Sequence, residues 1–199
     1  MSKKMKTKSI TVSHISKGFE NQMVLNDISY EFTQDRITCI MGSSGIGKTT
    51  LLNILLGLIK PDSGEIVKPP RFLFSAVFQE DRLCEDIDAI ANVLLVLDKG
   101  ITIDKIKNEF SLVGLEDYQG KPVKELSGGM KRRVAIVRAM MAESDAVILD
   151  EPFGGLNNEL KLQVIDYVKE RLQGKIGIVV THDIHEVKAL GGDALTLTK

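Results

Sequence analysis

Eight consecutive residues, Gly42-Ser43-Ser44-Gly45-Ile46-Gly47-Lys48-Thr49, have the types and order that hold a chain of phosphates. They fit the pattern G-x-x-x-x-G-K-[ST] without deviation. Glycines let the backbone curl until successive N–H groups face inward, and such a nest binds anions. A helix opening near Lys48 would add about half a positive charge at its N-terminus. Lys48 is placed to neutralise β- and γ-phosphates, and Thr49 to offer its hydroxyl to Mg²⁺; Thr50 carries the run into the helix. A glycine-rich turn with a chance lysine is the bland alternative. It does not explain the apolar strand before the loop or the helical pattern after it.

Two further clusters carry chemistry. Asp150 and Glu151 follow the apolar Ala146-Val147-Ile148-Leu149. Ionised carboxylates at the end of a buried strand are costly unless they meet a cation. Asp150 is suited to hold Mg²⁺ through water, and Glu151 to take a proton from an attacking water as general base. The alternative is that both cap the next segment, since Pro152 follows directly. In Leu126-Ser127-Gly128-Gly129-Met130-Lys131-Arg132-Arg133, Ser127 reads as a helix N-cap whose two glycines admit a ligand close to the first turn. Three cations then crowd the positive end of that helix, each opposing the macrodipole by roughly 0.3–1 kcal/mol if exposed. An anion at the terminus would relieve the conflict. A solvated basic face is the other reading.

The elements that must position these residues alternate along much of the chain. Residues 8–34 read as strands, Asp35-Arg36 as a turn, 37–41 as a strand, and Lys48 to about Ile59 as a helix stopped by Pro61-Asp62-Ser63-Gly64. Leu83–Leu97, Ile103–Val113 and Ser127–Met141 read as helices with no strand between them. Ala146–Leu149, Leu160–Leu172 and Ile176–Thr181 then alternate strand, helix, strand. The expectation is one α/β domain over 1–199 with a helical subdomain at 82–140. Ile37–Met41, Ala146–Leu149 and Ile178–Val180 are continuous apolar runs, as in the doubly covered strands of a parallel sheet, and each ends in a polar cluster. Such sheets bind ligands beyond their carboxyl ends, so the three clusters should converge.

With these motifs in this order, the chain resembles the ATP-binding-cassette ATPases over about residues 9–197. Leu126-Ser127-Gly128-Gly129 is similar to their signature, and its place before the Asp150-Glu151 strand is also theirs. The resemblance implies a P-loop NTPase core of mainly parallel sheet with an antiparallel β subdomain and a helical insertion. It implies ATP and Mg²⁺ as ligands, and pairing with a second ATPase copy, head to tail, so that Ser127, Gly128 and Gly129 complete the partner's site. Gln79, after Phe74–Phe78, resembles the glutamine that senses Mg²⁺ and attacking water, and His182 the histidine that contacts the γ-phosphate. Phe19 stands where the family has an aromatic that stacks on adenine. In the loop after Glu151, Asn157 replaces the family's usual aspartate, which puts communication between the two ATP sites in question. Gln79-Glu80-Asp81-Arg82-Leu83 is similar to the nitrate, sulfonate and taurine importers.

An importer ATPase would lie in the cytoplasm, peripheral on the inner face of the membrane. It would act on transmembrane permease subunits and, through them, a substrate-binding protein. Composition agrees: 199 residues, 43% hydrophobic and 27% charged, are ordinary for a globular domain. A net charge of −1 gives no hint of nucleic acid. Lys3-Lys4-Met5-Lys6-Thr7-Lys8 starts like a signal peptide, but no hydrophobic core follows. Ala89–Leu97, interrupted by Asn92, is too short to span a bilayer. Cys39 reads as a buried thiol and no disulfide is expected with Cys84. The absence of a segment after 199 matches small members without a regulatory tail. His182, His185 and Glu186 lack the third cluster a zinc site needs, and a helix start explains their spacing. Two other classes are a non-transport ATPase acting on DNA or ribosomes, and an adaptor that binds nucleotide without turnover. The first typically carries coiled coils or a second cassette, both missing here; the second conflicts with intact Lys48, Glu151 and His182.

Overall fold

The computed structural model describes residues 7–20 and 22–198, so the basic Lys3–Lys6 stretch lies outside the described residues. Strands β1 (Ser9–Phe19) and β2 (Gln22–Thr33) form an antiparallel hairpin, and β4 (Ser63–Val67) pairs with the other edge of β1. The second sheet is parallel throughout, in the order β5 (Phe74–Val77), β6 (Ala146–Asp150), β7 (Ile176–Val180), β3 (Ile37–Met41), β8 (Asp193–Thr196).

Side chains alternate between two cores across this sheet. Ile40, Ile148, Ile178 and Val180 face α1 (Lys48–Leu55) and the antiparallel hairpin, packing with Leu51, Leu55, Ile10 and Phe32. Cys39, Val147, Leu149 and Val179 face the opposite way, toward α4 (Gly128–Met141), α5 (Asn158–Arg171) and α6 (Ile184–Leu190). Burial on both faces is why the strands read as unbroken apolar runs. An eight-residue helix such as α1 is unstable alone in water. Fully burying Leu51, Leu52 and Leu55, at about 1.5–3 kcal/mol each, holds it and the loop before it against the sheet.

Several boundaries differ from the sequence expectation. The first helix ends at Leu55, because Gly57 adopts a left-handed φ of 73° and its N–H turns back to the Ile54 carbonyl. The turn at Pro61 comes later and stops nothing. The helix expected from Leu83 begins only at α2 (Ala89–Leu94), capped by Asp88, whose carboxylate accepts from the Ala91 N–H at 2.7 Å. Residues 83–88 stay irregular because buried Asn92 holds them, accepting from Cys84 N–H and donating to the Cys84 carbonyl. α3 (Ile103–Leu112) and α4 match expectation within one residue. β4, β5 and β8 were not anticipated as strands. Cys39 is fully buried, which pushes its thiol up to about 11; Cys84 is exposed and both are free.

Candidate active site

The carboxyl ends of β3, β6 and β7 do meet. The loop after β3 is built on positive φ at Gly42, Gly45 and Gly47 (148°, 76° and 109°). At Gly47 a Cβ would also lie 2.8 Å from Leu25 and 3.0 Å from the Val24 carbonyl, so the β2 edge excludes any side chain there. α1 starts at Lys48 with no side-chain cap on its first N–H groups, which are left for a ligand. The Lys48 ammonium donates to the carbonyls of Gly42 (2.8 Å) and Ser43 (3.0 Å), curled onto its own loop.

Across this loop the Thr49 hydroxyl donates to Asp150 Oδ2 at 3.1 Å. Asp150 is 4% exposed. Burial holds its carboxyl above the usual carboxylate range; the Thr49 bond pulls it down, neighbouring Glu151 pushes it up, and Lys48 and Arg132 lower it. Glu151 has a φ of 48°, left-handed backbone that a non-glycine residue adopts at a cost, and its N–H donates to the Val180 carbonyl of β7. Its Oε1 lies 3.6 Å from His182 Nδ1. His182 follows Thr181, whose buried hydroxyl bonds Glu186 of α6; Glu186 in turn pairs with Lys161 of α5 at 2.9 Å. The strand end that presents His182 is therefore anchored from two helices.

These groups line one cavity of about 540 Å³: Gly42, Ser43, Ser44, Gly45, Gly47, Lys48, Thr49, Thr50, Gln79, Asp150, Glu151 and His182, together with Val24 of β2. Val24 was missed by sequence reasoning, since an aliphatic wall carries no chemical signature. Ile46 is 7% exposed and packs into the core, so its backbone alone belongs to the loop. Phe19 is not among the lining residues; it ends β1, half exposed, with Lys17 Nζ 5.4 Å from its ring centroid. Ser127, Gly128 and Gly129 also lie outside this cavity, at the start of α4, where Ser127 caps the helix by accepting from the Met130 N–H at 3.3 Å.

The cations that follow do not crowd the α4 terminus as expected. Arg133 is buried and caps the carbonyls of Val113 and Gly114 as well as Gly129, while Arg132 reaches to the Phe78 and Gln79 carbonyls. Both are tethers to other segments, so most of the presumed conflict with the macrodipole disappears. Asn157 caps α5, accepting from the Leu160 N–H at 2.9 Å. His185 sits in the first turn of α6, its N–H bonded to Asp183 Oδ1. No cluster of three or more His, Cys, Asp or Glu able to hold a metal occurs among the described residues.

The residues present suit a magnesium nucleotide. Thr49 and Asp150 offer adjoining hard oxygens, one carboxylate being the usual protein share of a site completed by phosphates. The raised Asp150 proton affinity marks a buried charge that a cation would relieve.

A family model described as ABC transporter matches residues 25–154. The spermidine/putrescine import ATP-binding protein of Mycoplasma capricolum is 34% identical over 94% of this chain, which spans 58% of that relative's length. The aliphatic sulfonates import ATP-binding protein of Rhodococcus jostii is also 34% identical, over 94% of this chain and 70% of its own. The cassette MJ0796, solved as a dimer in a post-hydrolysis state with ADP and Pi, matches with a TM-score of 0.82 at 25% identity, over 95% of this chain and 94% of that one. The chain belongs to the ABC transporter family, as one of its ATP-binding cassettes.

Proposed function

We propose that this chain binds MgATP on the Gly42–Thr49 loop, hydrolyses it, and drives an importer as its ATPase subunit. One observation carries the reading: Lys48, Thr49, Gln79, Asp150, Glu151 and His182 come from four separate segments and line a single cavity. In the reaction, Lys48 leaves the loop carbonyls for the β- and γ-phosphates. A water oxygen bonds to the γ-phosphorus as the bond to the bridging oxygen of ADP breaks, and the water's proton passes to the Glu151 carboxylate. His182, the loop N–H groups and Lys48 meet the charge on the transferred phosphoryl group. Magnesium, held by Thr49 and Asp150 with Gln79 beside it, would neutralise phosphate charge. Phe19 would offer adenine a stacking face from the β1–β2 hairpin, whose β2 side already touches the loop through Val24.

Pairing of two copies, head to tail, is supported by the position of Ser127–Gly129 outside the chain's own cavity and by the dimeric cassette it matches. Permease partners at the inner face of a membrane are supported by the import proteins among its relatives; no helix among the described residues is long and apolar enough to cross a bilayer. Identity is equal to proteins named for polyamines and for sulfonates, cargoes of opposite charge, which supports a reading in which other subunits choose the cargo. Glu151→Gln tests the chemistry. ATP affinity should stay within about twofold while phosphate release falls at least ~100-fold, the contribution of a general base. Undiminished release from that variant removes Glu151 from catalysis.

A further inference from the structure

Gln79 enters the cavity from an irregular segment between β5 and α2. Among the described residues, positions 79–83 make no backbone-to-backbone hydrogen bond. Four carbonyls between Phe78 and Arg82 are satisfied instead by two side chains of α4. Arg132 donates through one terminal nitrogen to the Phe78 carbonyl at 2.6 Å and through the other to the Gln79 carbonyl, while its Nε lies 3.1 Å from Asp81 Oδ1. Arg138 donates to the carbonyls of Arg82 (2.9 Å) and Asp81 (3.1 Å). The segment is also locally tense: Arg82 has a φ of 46° and its guanidinium stacks 3.7 Å from the Phe78 ring centroid. A loop without its own hydrogen bonds takes the shape its tethers impose.

We propose that Arg132, supported by Arg138, is a positioning residue for Gln79: the guanidinium fork sets the loop's shape and thereby where the Gln79 side chain meets the nucleotide site. This rests on the role given to Gln79 above. The planar fork is what the geometry requires, since a lysine ammonium cannot span two consecutive carbonyls and a carboxylate at once. The fork also joins two distant motifs. Arg132 lies five residues beyond Ser127, roughly 7 Å along the helix, so the first turn of α4 and the Gln79 loop move as one piece.

The test is a double-mutant cycle on the full chain, with limited trypsin cleavage after Arg82 as a readout independent of turnover. Arg132→Gln should lower kcat about tenfold, leave affinity for a fluorescent ATP analogue within about twofold, and speed tryptic cleavage after Arg82 severalfold without changing it elsewhere in the chain. Added to Gln79→Ala, it should cost less than about twofold more, because both act through one group. Arg132→Lys, which keeps a cation beside Asp81 and is the milder change, should follow the same pattern. Losses that multiply in the double variant, or cleavage after Arg82 that matches the parent, overturn the inference. A slowed Gln79→Ala beside a fully active Arg132→Gln overturns it alone. A Gln79→Ala variant with parental kcat overturns the role of Gln79, and this inference with it.

Discussion

Asp150 and Glu151 adjoin in sequence and differ in circumstance. Asp150 is nearly inaccessible and its carboxyl is held above its usual range by burial first, whereas Glu151 is partly exposed on left-handed backbone. A carboxylate whose folded affinity for protons exceeds its unfolded one favours the fold only while protonated. That stability is present below the unfolded value near 3.8 and disappears as pH rises through the higher folded value. At neutral pH the ligand-free protein therefore carries a buried charge at a cost. Asp150→Asn removes it while retaining an oxygen to accept from Thr49. This variant should melt higher than the parent at pH 7 without nucleotide, by about 2 °C or more, and the gap should close toward pH 4. Its Mg²⁺-dependent hydrolysis should be lost. Thermal melts across that pH range check the first part, and equal Tm values at pH 7 would mean that Asp150 is relieved by its neighbours already. Asp150 and the glycine loop were legible in sequence because their types conflict with an apolar strand end unless a ligand resolves the conflict. Gln79 and His182 carry no such conflict locally, and the family resemblance alone pointed to them.

At the scale of elements, the sequence expectation succeeded where burial is continuous and failed where single side chains decide. β3, β6, β7 and α4 were placed within a residue or so, their patterns being dictated by two-sided or one-sided burial. β4 and β8 are short and mostly exposed, with no alternation to betray them. Residues 83–88 have a helical pattern overridden by the hydrogen bonds of Asn92, a tertiary fact. Arg132 and Arg133 looked misplaced because their partners lie some 20 to 54 positions away along the chain. The same kind of long-range tie fixes α3. Its Glu109, 6% exposed, accepts from Tyr167 Oη at 2.7 Å and from Arg171 Nε and a terminal nitrogen at 2.9 and 2.8 Å, all on α5. Removing one partner of a buried pair leaves the other charge stranded, a loss of roughly 3–5 kcal/mol when both are enclosed. Arg171 is 28% exposed and keeps some water. Glu109→Leu should therefore destabilise by about 2–3 kcal/mol in urea unfolding. A loss under about 0.5 kcal/mol would show that α3 is held by its apolar face, through Ile106 and Phe110, and not by this tie.

For the whole molecule, the decisive fact is a separation. Lys48, Asp150 and Glu151 line the cavity, while Ser127 and Gly128 stand exposed elsewhere on the same chain. In the proposed head-to-tail pair, this capped, glycine-opened helix start, which lies outside the chain's own cavity, would serve the partner's site. A mixing experiment follows from this geometry. Lys48→Ala should lose nucleotide binding, and Ser127→Arg should bind ATP but hydrolyse it poorly, each nearly inactive alone. In a mixed dimer, one site joins the intact loop of the Ser127→Arg chain to the intact helix start of the Lys48→Ala chain, and the other site carries both defects. With equal amounts exchanging freely, half the dimers are mixed and each has one sound site, so hydrolysis should recover to roughly a quarter of the parental rate if the sites act independently. Recovery well below that, with mixed dimers demonstrated, would indicate that one site fires only when the other is whole. In that case Asn157, which occupies its side chain in capping α5 rather than offering a charge, has not uncoupled the two sites. An active Ser127→Arg protein by itself would show that the exposed helix start takes no part in hydrolysis, in its own chain or across the dimer.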